Sequence, residues 1–175
     1  INRALSIFNV IPKIESSSTN FYSYKLQEGE IYSKIANTSN FEQFLNFFNK
    51  NLWIDKVLND SKLELLCKDF YLEKTLKRIS SLFSKYKLQD EENLINGIKV
   101  PPVLELLELI PESFYSENIK TRVHGDFILD NCIFHDNKFT MIDWRQDFSG
   151  ELEFGDLYYD LSKLAHNIVV NHEII

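Results

Sequence analysis

Apolar residues recur at helical spacing in four stretches of the chain, which predicts a protein rich in α-helix. The first stretch follows Ser39 or Asn40, either of which can cap its start. The clearest helix covers residues 61–86, and shorter ones are predicted near 103–109 and from about 156 to 170. Along residues 61–86 the stripe expected to face the core consists of Leu65, Leu72, Leu76, Ile79, Phe83 and Tyr86.

Runs of β-prone residues predict two strand pairs. One lies within residues 1–36, where the alternating aromatic run at 21–26 is typical of a strand. The other is a hairpin, because apolar residues at 132–134 and 139–142 flank a polar turn at 135–138. The Asp and Asn in that turn tolerate positive φ angles, as tight turns require.

Polar residues stand at the open end of this hairpin. Asn131 precedes the first strand and Asp143 follows the second, so antiparallel pairing makes them neighbours. An amide oxygen and a carboxylate suit Mg²⁺, which combines a few protein oxygens with phosphate oxygens. Upstream, Gly125 permits a sharp bend between His124 and Asp126, and the Asp126 carboxylate is free to accept a proton from a hydroxyl. These residues indicate a metal-and-base arrangement for phosphoryl transfer.

Composition excludes several classes of function. The chain has 175 residues, 44% of them hydrophobic, which is enough for the core of one ordinary domain. Its net charge of −7 argues against a broad nucleic-acid surface and against anionic membranes. We find neither a membrane-spanning apolar run nor a signal-peptide pattern. Cys67 and Cys132 lack metal-site spacing, so we expect reduced thiols in a cytoplasmic protein.

Three motifs carry a resemblance to a known family: HGDxxxxN from His124, IDW ending at Trp144, and GDxxxDL beginning at Gly155. Together they resemble the aminoglycoside phosphotransferase and choline kinase family, small-molecule kinases that share the fold of protein kinases. The resemblance implies that Asp126 is the catalytic base and that Asn131 and Asp143 hold Mg²⁺. It also implies that His124 and Asp160 support the catalytic loop.

The first strand pair also resembles a feature of this family. In the family, a strand ending in an acid–glycine pair leads from the small lobe into the large lobe, and residues 24–30 match that feature. The resemblance implies that the backbone of Leu26, Gln27 and Glu28 lines the adenine slot for ATP. The alternative is that this stretch is only the edge of a plain hairpin.

We therefore expect an α+β fold, with a kinase-like, α-rich large lobe at 37–175, a catalytic loop at 123–143, and hinge strands at 1–36 left from a small lobe. The five glycines form neither GxGxxG nor a Walker loop, and no upstream strand carries an obvious phosphate-binding lysine. The phosphate-binding small lobe is thus largely missing from this sequence, which also lacks an initiator Met. We expect a fragment of a longer protein, with little activity by itself.

The function predicted from these residues is ATP-dependent phosphorylation of a hydroxyl on a small molecule. One alternative is a non-catalytic kinase-fold module that binds a partner or a nucleotide. A protein kinase is a third possibility, which Trp144 and Arg145 disfavour because protein kinases carry Phe-Gly after the metal-binding aspartate. We expect a nucleotide and a small-molecule acceptor as ligands, and the sequence leaves the oligomeric state open.

Aromatic and acidic residues alternate between Asp143 and Asp160. Trp144, Tyr158 and Tyr159, together with Asp147, are candidates for acceptor binding, because aromatic faces beside carboxylates attract alkylammonium groups. This pattern favours an amino-alcohol or an amino-sugar over a neutral sugar. The alternative is that the aromatic residues belong to the core and the acids to a solvated loop.

Overall fold

Helices and short antiparallel sheets alternate along residues 10–19 and 21–170, which are the residues that this computed structural model describes. The α+β class predicted from the sequence is confirmed at this level. The chain forms two compact units, one from Asn59–Asn118 and one from the described residues of 1–58 and 119–175. The boundary predicted between residues 36 and 37 stays a prediction, and part of the 1–36 segment, residues 1–9 and Asn20, lies outside the described residues.

Short strands and helices follow one another along the chain. In chain order the strands are β1 (Ile14–Ser17), β2 (Tyr22–Tyr24), β3 (Glu30–Ile31), β4 (Val57–Leu58), β5 (Asn93–Ile95), β6 (Ile98–Val100), β7 (Ile119–Thr121), β8 (Cys132–His135), β9 (Lys138–Met141) and β10 (Gly155–Asp156). The helices are α1 (Thr38–Asn51), α2 (Ser61–Cys67), α3 (Lys74–Tyr86), α4 (Val103–Glu108), α5 (Ser113–Ser116) and α6 (Leu157–Val169). A π-helical segment occupies Lys68–Glu73, and 3₁₀ turns occupy Tyr32–Lys34 and Leu129–Asn131.

Helix α1 begins two residues earlier than its sequence pattern suggests. Its N-cap is Asn37, whose side-chain oxygen accepts hydrogen bonds from the backbone N–H groups of Ser39 and Asn40 at 3.0 and 3.1 Å. The Asn40 side chain accepts in return from the Asn37 backbone at 2.9 Å. The prediction of Ser39 or Asn40 as the cap was wrong, because this reciprocal pair satisfies both ends of the motif only when Asn37 is the cap.

The larger unit has an aromatic core that holds the predicted catalytic loop against α1. Phe44 and Phe48 are fully buried on one face of the helix, and their ring centroids lie 5.5 and 4.9 Å from that of Phe127 in the loop. Phe139 of β9 meets the same cluster, with its ring centroid 5.4 Å from that of Phe44. Such offset and edge-to-face ring pairs add to the free energy of burial, so the loop rests on a rigid base.

The predicted catalytic hairpin is present as β8 and β9. Its register pairs Cys132 with Met141 and His135 with Lys138. The two turn residues, Asp136 and Asn137, have φ angles of 48° and 59°. Positive φ at both central positions is the type I′ geometry that matches the twist of paired strands. β3 joins the other side of β8, which completes a three-stranded sheet.

In the smaller unit the helical run from Ser61 to Tyr86 has the predicted bounds, but its predicted core stripe is partly wrong. Leu65 is 69% exposed, whereas Leu63, Cys67 and Phe70 are buried. The π-helical segment begins between Leu65 and the rest of the predicted stripe, and its wider turn offsets the inward face before it from the face after it. A uniform helical period cannot represent this offset. Tyr86, at the end of the run, is also 58% exposed.

The smaller unit contains a hairpin of its own, which was not predicted from the sequence. β5 and β6 pair across Asn96 and Gly97, whose φ angles are 52° and 80°. The Asn-Gly pair is a strong short-range hairpin signal, so the sequence contained the information. Among the described residues, no helix combines the length and apolar character needed to cross a bilayer.

Candidate active site

The loop between β7 and β8 is anchored by a buried histidine. His124 is inaccessible to solvent, and its Nδ1 accepts a hydrogen bond from the Asp126 N–H at 3.2 Å. Its Nε2 lies 3.0 Å from the carbonyl oxygen of Ile142. Because Nδ1 must offer a lone pair to the N–H, the ring carries its proton on Nε2 and donates it to that carbonyl. The ring thus connects the loop to the end of β9.

Asp160 of α6 holds the same loop from the other side. Its carboxylate is fully buried and accepts hydrogen bonds from the backbone N–H groups of His124 and Gly125 at 2.8 and 2.7 Å. The indole N–H of Trp53 donates a third hydrogen bond at 3.0 Å. Asp160 thus contacts the backbone of the loop, and its predicted importance for catalysis stays a prediction.

Gly125 makes the bend that brings these groups together. Its φ angle is +86°, a conformation that side-chain-bearing residues rarely adopt. A Cβ atom at this position would lie 2.5 Å from the Cβ atom of Arg145. Both the backbone conformation and the close approach of Arg145 therefore require glycine.

Asp126 has a specific partner for each of its carboxylate oxygens. Oδ1 forms an ion pair with the Lys163 ammonium at 2.8 Å. Oδ2 lies 3.4 Å from the Asn131 amide nitrogen, which also donates to the Asp126 backbone carbonyl at 3.0 Å. Lys163 was not predicted from the sequence. Its position one turn after Asp160, on the same face of α6, was the available signal.

The structure brings the two predicted metal ligands to the same end of the hairpin. The Ile142 N–H donates to the Asn131 carbonyl at 2.9 Å, so Asp143 follows directly after the residue opposite Asn131. Because the Asn131 amide nitrogen is directed to Asp126, its side-chain oxygen is the atom that could face a metal. Asp143 is exposed, with a φ angle of 58°. One amide oxygen and one accessible carboxylate fit Mg²⁺ with water and phosphate oxygens completing its shell.

No group of three or more His, Cys, Asp or Glu side chains within residues 10–19 and 21–170 is arranged to hold a metal ion. The candidate pair of Asn131 and Asp143 contains only one such side chain.

The predicted hinge residues follow β2, which ends at Tyr24 rather than at residue 26. Leu26 is 94% exposed, Glu28 is also exposed, and the Gln27 side chain donates to the Lys25 carbonyl at 2.7 Å. Their role at the adenine slot stays a prediction.

Tyr24 is a further residue, not indicated by the sequence, that is influenced by Asp143, the predicted metal-binding carboxylate. Its pKa is raised from the ordinary value, first by burial and then by the charges of Tyr22 and Asp143. The phenol therefore lies within electrostatic reach of Asp143. No motif or spacing in the sequence signals this proximity.

Three of the four candidate acceptor residues, Trp144, Tyr159 and Asp147, have partners within the protein. The Trp144 indole donates to the Met141 carbonyl at 3.1 Å, and its ring packs edge-on against His124. The Tyr159 hydroxyl accepts from Arg145 at 3.2 Å. Asp147 accepts a hydrogen bond from the Gly150 N–H at 2.8 Å, and Tyr158 is 51% exposed. Their role in acceptor binding stays a prediction.

Comparison with known proteins identifies the family. The model of the phosphotransferase enzyme family matches residues 74–173, which is more than half of the chain and includes the loop, the hairpin and α6. No curated protein and no solved structure matches the chain. The chain belongs to the phosphotransferase enzyme family, that of the aminoglycoside phosphotransferases and choline kinases which its motifs resemble.

Proposed function

We propose that this protein transfers the terminal phosphoryl group of ATP to a hydroxyl of a small molecule: an amino-alcohol, an amino-sugar or a sugar. The observation that carries the proposal is the position of Asp126. Its loop is held by the buried Asp160 carboxylate, and its own carboxylate lies beside Asn131, at the end of the hairpin that presents Asp143. A base next to two metal-type oxygen donors is the arrangement that phosphoryl transfer needs.

Asp126 would orient the acceptor hydroxyl and take its proton as the oxygen attacks the terminal phosphorus. Oδ2 is the better placed atom, because Oδ1 is engaged by Lys163 at 2.8 Å. Mg²⁺ held by Asn131 and Asp143 would neutralise phosphate charge. Asp160 and His124 would keep the base in place, so that positioning supplies most of the rate enhancement.

The nucleotide would meet the chain at two places, one in the hinge segment of residues 1–36 and one in the kinase-like large lobe. The backbone of Leu26, Gln27 and Glu28 would contact the base, and the end of the hairpin would face the phosphates. The sequence has no glycine-rich loop to cover those phosphates. This last point favours a second candidate, a nucleotide-binding module without catalysis.

Two isosteric substitutions test the roles of the carboxylates. We expect Asp143→Asn to weaken Mg²⁺–ATP binding by about tenfold or more, because a charged metal ligand is lost. We expect Asp126→Asn to leave that affinity nearly unchanged and to lower phosphoryl transfer by about 10²–10⁴-fold, the usual contribution of a general base. Calorimetric titration measures binding, and a radiolabelled phosphoryl-transfer assay detects even slow turnover.

Each variant is the control for the other, since both exchange a carboxylate for an amide of the same shape. Equal loss of Mg²⁺–ATP affinity in the two variants would contradict the separate roles of base and metal ligand. Nucleotide binding without phosphoryl transfer to any alcohol would favour the non-catalytic module.

A further inference from the structure

Lys163 places a positive charge at the position where the acceptor hydroxyl has to bind. Its ammonium lies 2.8 Å from Asp126 Oδ1, and the two side chains keep 38% and 35% of their surface exposed. The ion pair therefore sits at a surface that a substrate can reach, rather than inside the core. Asp160, Lys163 and Asn167 lie on one face of α6, so the helix that holds the loop also supplies this charge.

This charge affects which acceptor molecules the site can bind. A hydroxyl hydrogen-bonded to Asp126 Oδ2 lies a few Å from the Lys163 ammonium, well within the Debye length of about 8 Å at physiological salt. An ammonium group on the carbon next to that hydroxyl would meet Lys163 with little screening. The negative charge of Asp126, which would otherwise attract such a group, is already balanced by the ion pair.

Two of the three aromatic residues expected to attract a cation, Trp144 and Tyr159, are engaged by the protein itself, whereas Tyr158 is 51% exposed. The Arg145 guanidinium lies over the Tyr159 ring, 5.7 Å from its centroid, and donates to its hydroxyl at 3.2 Å. Trp144 packs on His124 with ring centroids 4.4 Å apart, and Phe148 is fully buried. Aromatic side chains used in this way do not form an open cage for an alkylammonium group.

Two acidic side chains of the same segment accept hydrogen bonds from backbone N–H groups in its own turns. The Asp147 carboxylate accepts from the Gly150 N–H at 2.8 Å. The Glu151 carboxylate accepts from the N–H groups of Leu152 and Glu153, both at 2.9 Å. Two of the three carboxylates between Asp143 and Asp156, those of Asp147 and Glu151, thus cap local backbone rather than forming a cation-binding group.

We propose that the acceptor carries no positive charge near its reacting hydroxyl, as in a sugar or a polyol, and that Lys163 determines this preference. The proposal rests on the proposed function and reverses the preference for cationic alcohols expected from the sequence. Lys163 acts here as a specificity-determining residue: it discriminates by charge while Asp126 remains the base.

Acceptors matched in shape and different in charge test this proposal. Choline and 3,3-dimethylbutan-1-ol differ by one positive charge, as do serinol and glycerol near neutral pH. Dissociation constants can be measured from the amide shifts of Gly125 and Asp126 in the 175-residue chain, with Mg²⁺ and a non-hydrolysable ATP analogue present. We expect the uncharged member of each pair to bind about tenfold or more tightly, as charges a few Å apart near a surface dictate.

Three variants assign the effect to Lys163. Lys163→Met removes the charge and should abolish or reverse the preference, whereas Lys163→Arg keeps the charge and should retain it. Lys50→Met at the end of α1 removes an exposed lysine of the same unit and should leave the preference unchanged. Circular dichroism of all three verifies that the fold is intact.

The outcomes are separable. Tighter binding of choline than of its uncharged analogue overturns the acceptor proposal alone. If the Lys163→Met variant keeps the preference for uncharged acceptors, Lys163 does not determine that preference. Failure of every acceptor to be phosphorylated over long incubation with Mg²⁺–ATP, despite bound nucleotide, contradicts the proposed function and this proposal together.

Discussion

At the scale of single residues, the buried carboxylate of Asp160 has the largest structural consequence. It accepts hydrogen bonds from two consecutive backbone N–H groups of the catalytic loop and from the Trp53 indole. A carboxylate can satisfy several donors at once because its two oxygens are acceptors only. The loop conformation, including the positive φ of Gly125, therefore depends on this side chain.

We expect Asp160→Ala to destabilise the protein strongly. Each buried donor left without a partner costs about 1–3 kcal/mol, and the substitution leaves three. Asp160→Asn should have an intermediate effect, because the amide retains one acceptor oxygen and nearly the same shape. Urea unfolding of the two variants measures the free-energy changes.

Glu42→Ala is a suitable control, since it removes an exposed carboxylate from α1. Asp156 is not a surface control, because it is 4% exposed and its side chain accepts from the Tyr158 N–H at the start of α6. A loss of stability in Asp160→Ala no larger than in Glu42→Ala would show that the loop does not depend on Asp160.

At the scale of elements, α6 holds the catalytic loop at three successive points. Asp160 binds its backbone, Lys163 binds the Asp126 side chain, and Asn167 accepts from the Leu129 N–H at 2.9 Å. The Asn167 amide also donates to the Asp130 carboxylate at 3.0 Å. These positions share one helix face, so one rigid element sets the geometry of the loop.

We expect Asn167→Ala to loosen the end of the loop without unfolding the protein. The Leu129 amide loses its acceptor, so its hydrogen exchange should accelerate about fivefold or more, equivalent to the roughly 1 kcal/mol of an ordinary hydrogen bond. Nuclear magnetic resonance of exchanging amides provides the rate. Ser162→Ala is the matched control on the same helix, since Ser162 donates within α6, to the Tyr159 carbonyl. An unchanged rate at Leu129 would argue that Asn167 does not hold the loop.

At the scale of the whole molecule, the predicted catalytic groups are present but the sequence supplies little to enclose phosphates. Its five glycines lie at 29, 97, 125, 150 and 155, and none forms a phosphate-binding loop. The nearest upstream candidate lysine, Lys25, is exposed and lies 3.9 Å from Glu15. A phosphoryl group held from one side only is poorly neutralised in the transition state.

We therefore expect slow turnover by the 175-residue chain. Its rate constant should fall below the range of about 1–100 s⁻¹ typical of kinases. A coupled assay against a panel of alcohols measures it, with Asp126→Asn as the background. Robust turnover would show that residues already present in the chain enclose the phosphates.

Much of the site follows from the sequence alone, because its determinants are local. The hairpin arises from two β-prone runs and a turn in which Asp136 and Asn137 adopt positive φ. Pairing of these strands brings Asn131 and Asp143 to one end, whatever else the chain does. The family model matches residues 74–173, which include this stretch and its motifs. Where hydrogen bonds and turns join near neighbours, the sequence contains enough to predict them.

Only the tertiary structure decided which side chains occupy the space around those motifs. The ion pair of Asp126 with Lys163 joins residues on two different elements, and the helical spacing of Lys163 from Asp160 does not by itself identify this partner. The aromatic segment after Asp143 suggested a cation site, whereas packing directs Trp144 to His124 and Arg145 to Tyr159. The sequence pattern identifies which chemical groups are present. Their charge balance and exposure depend on partners brought close by folding, and these properties decide what such a site can bind.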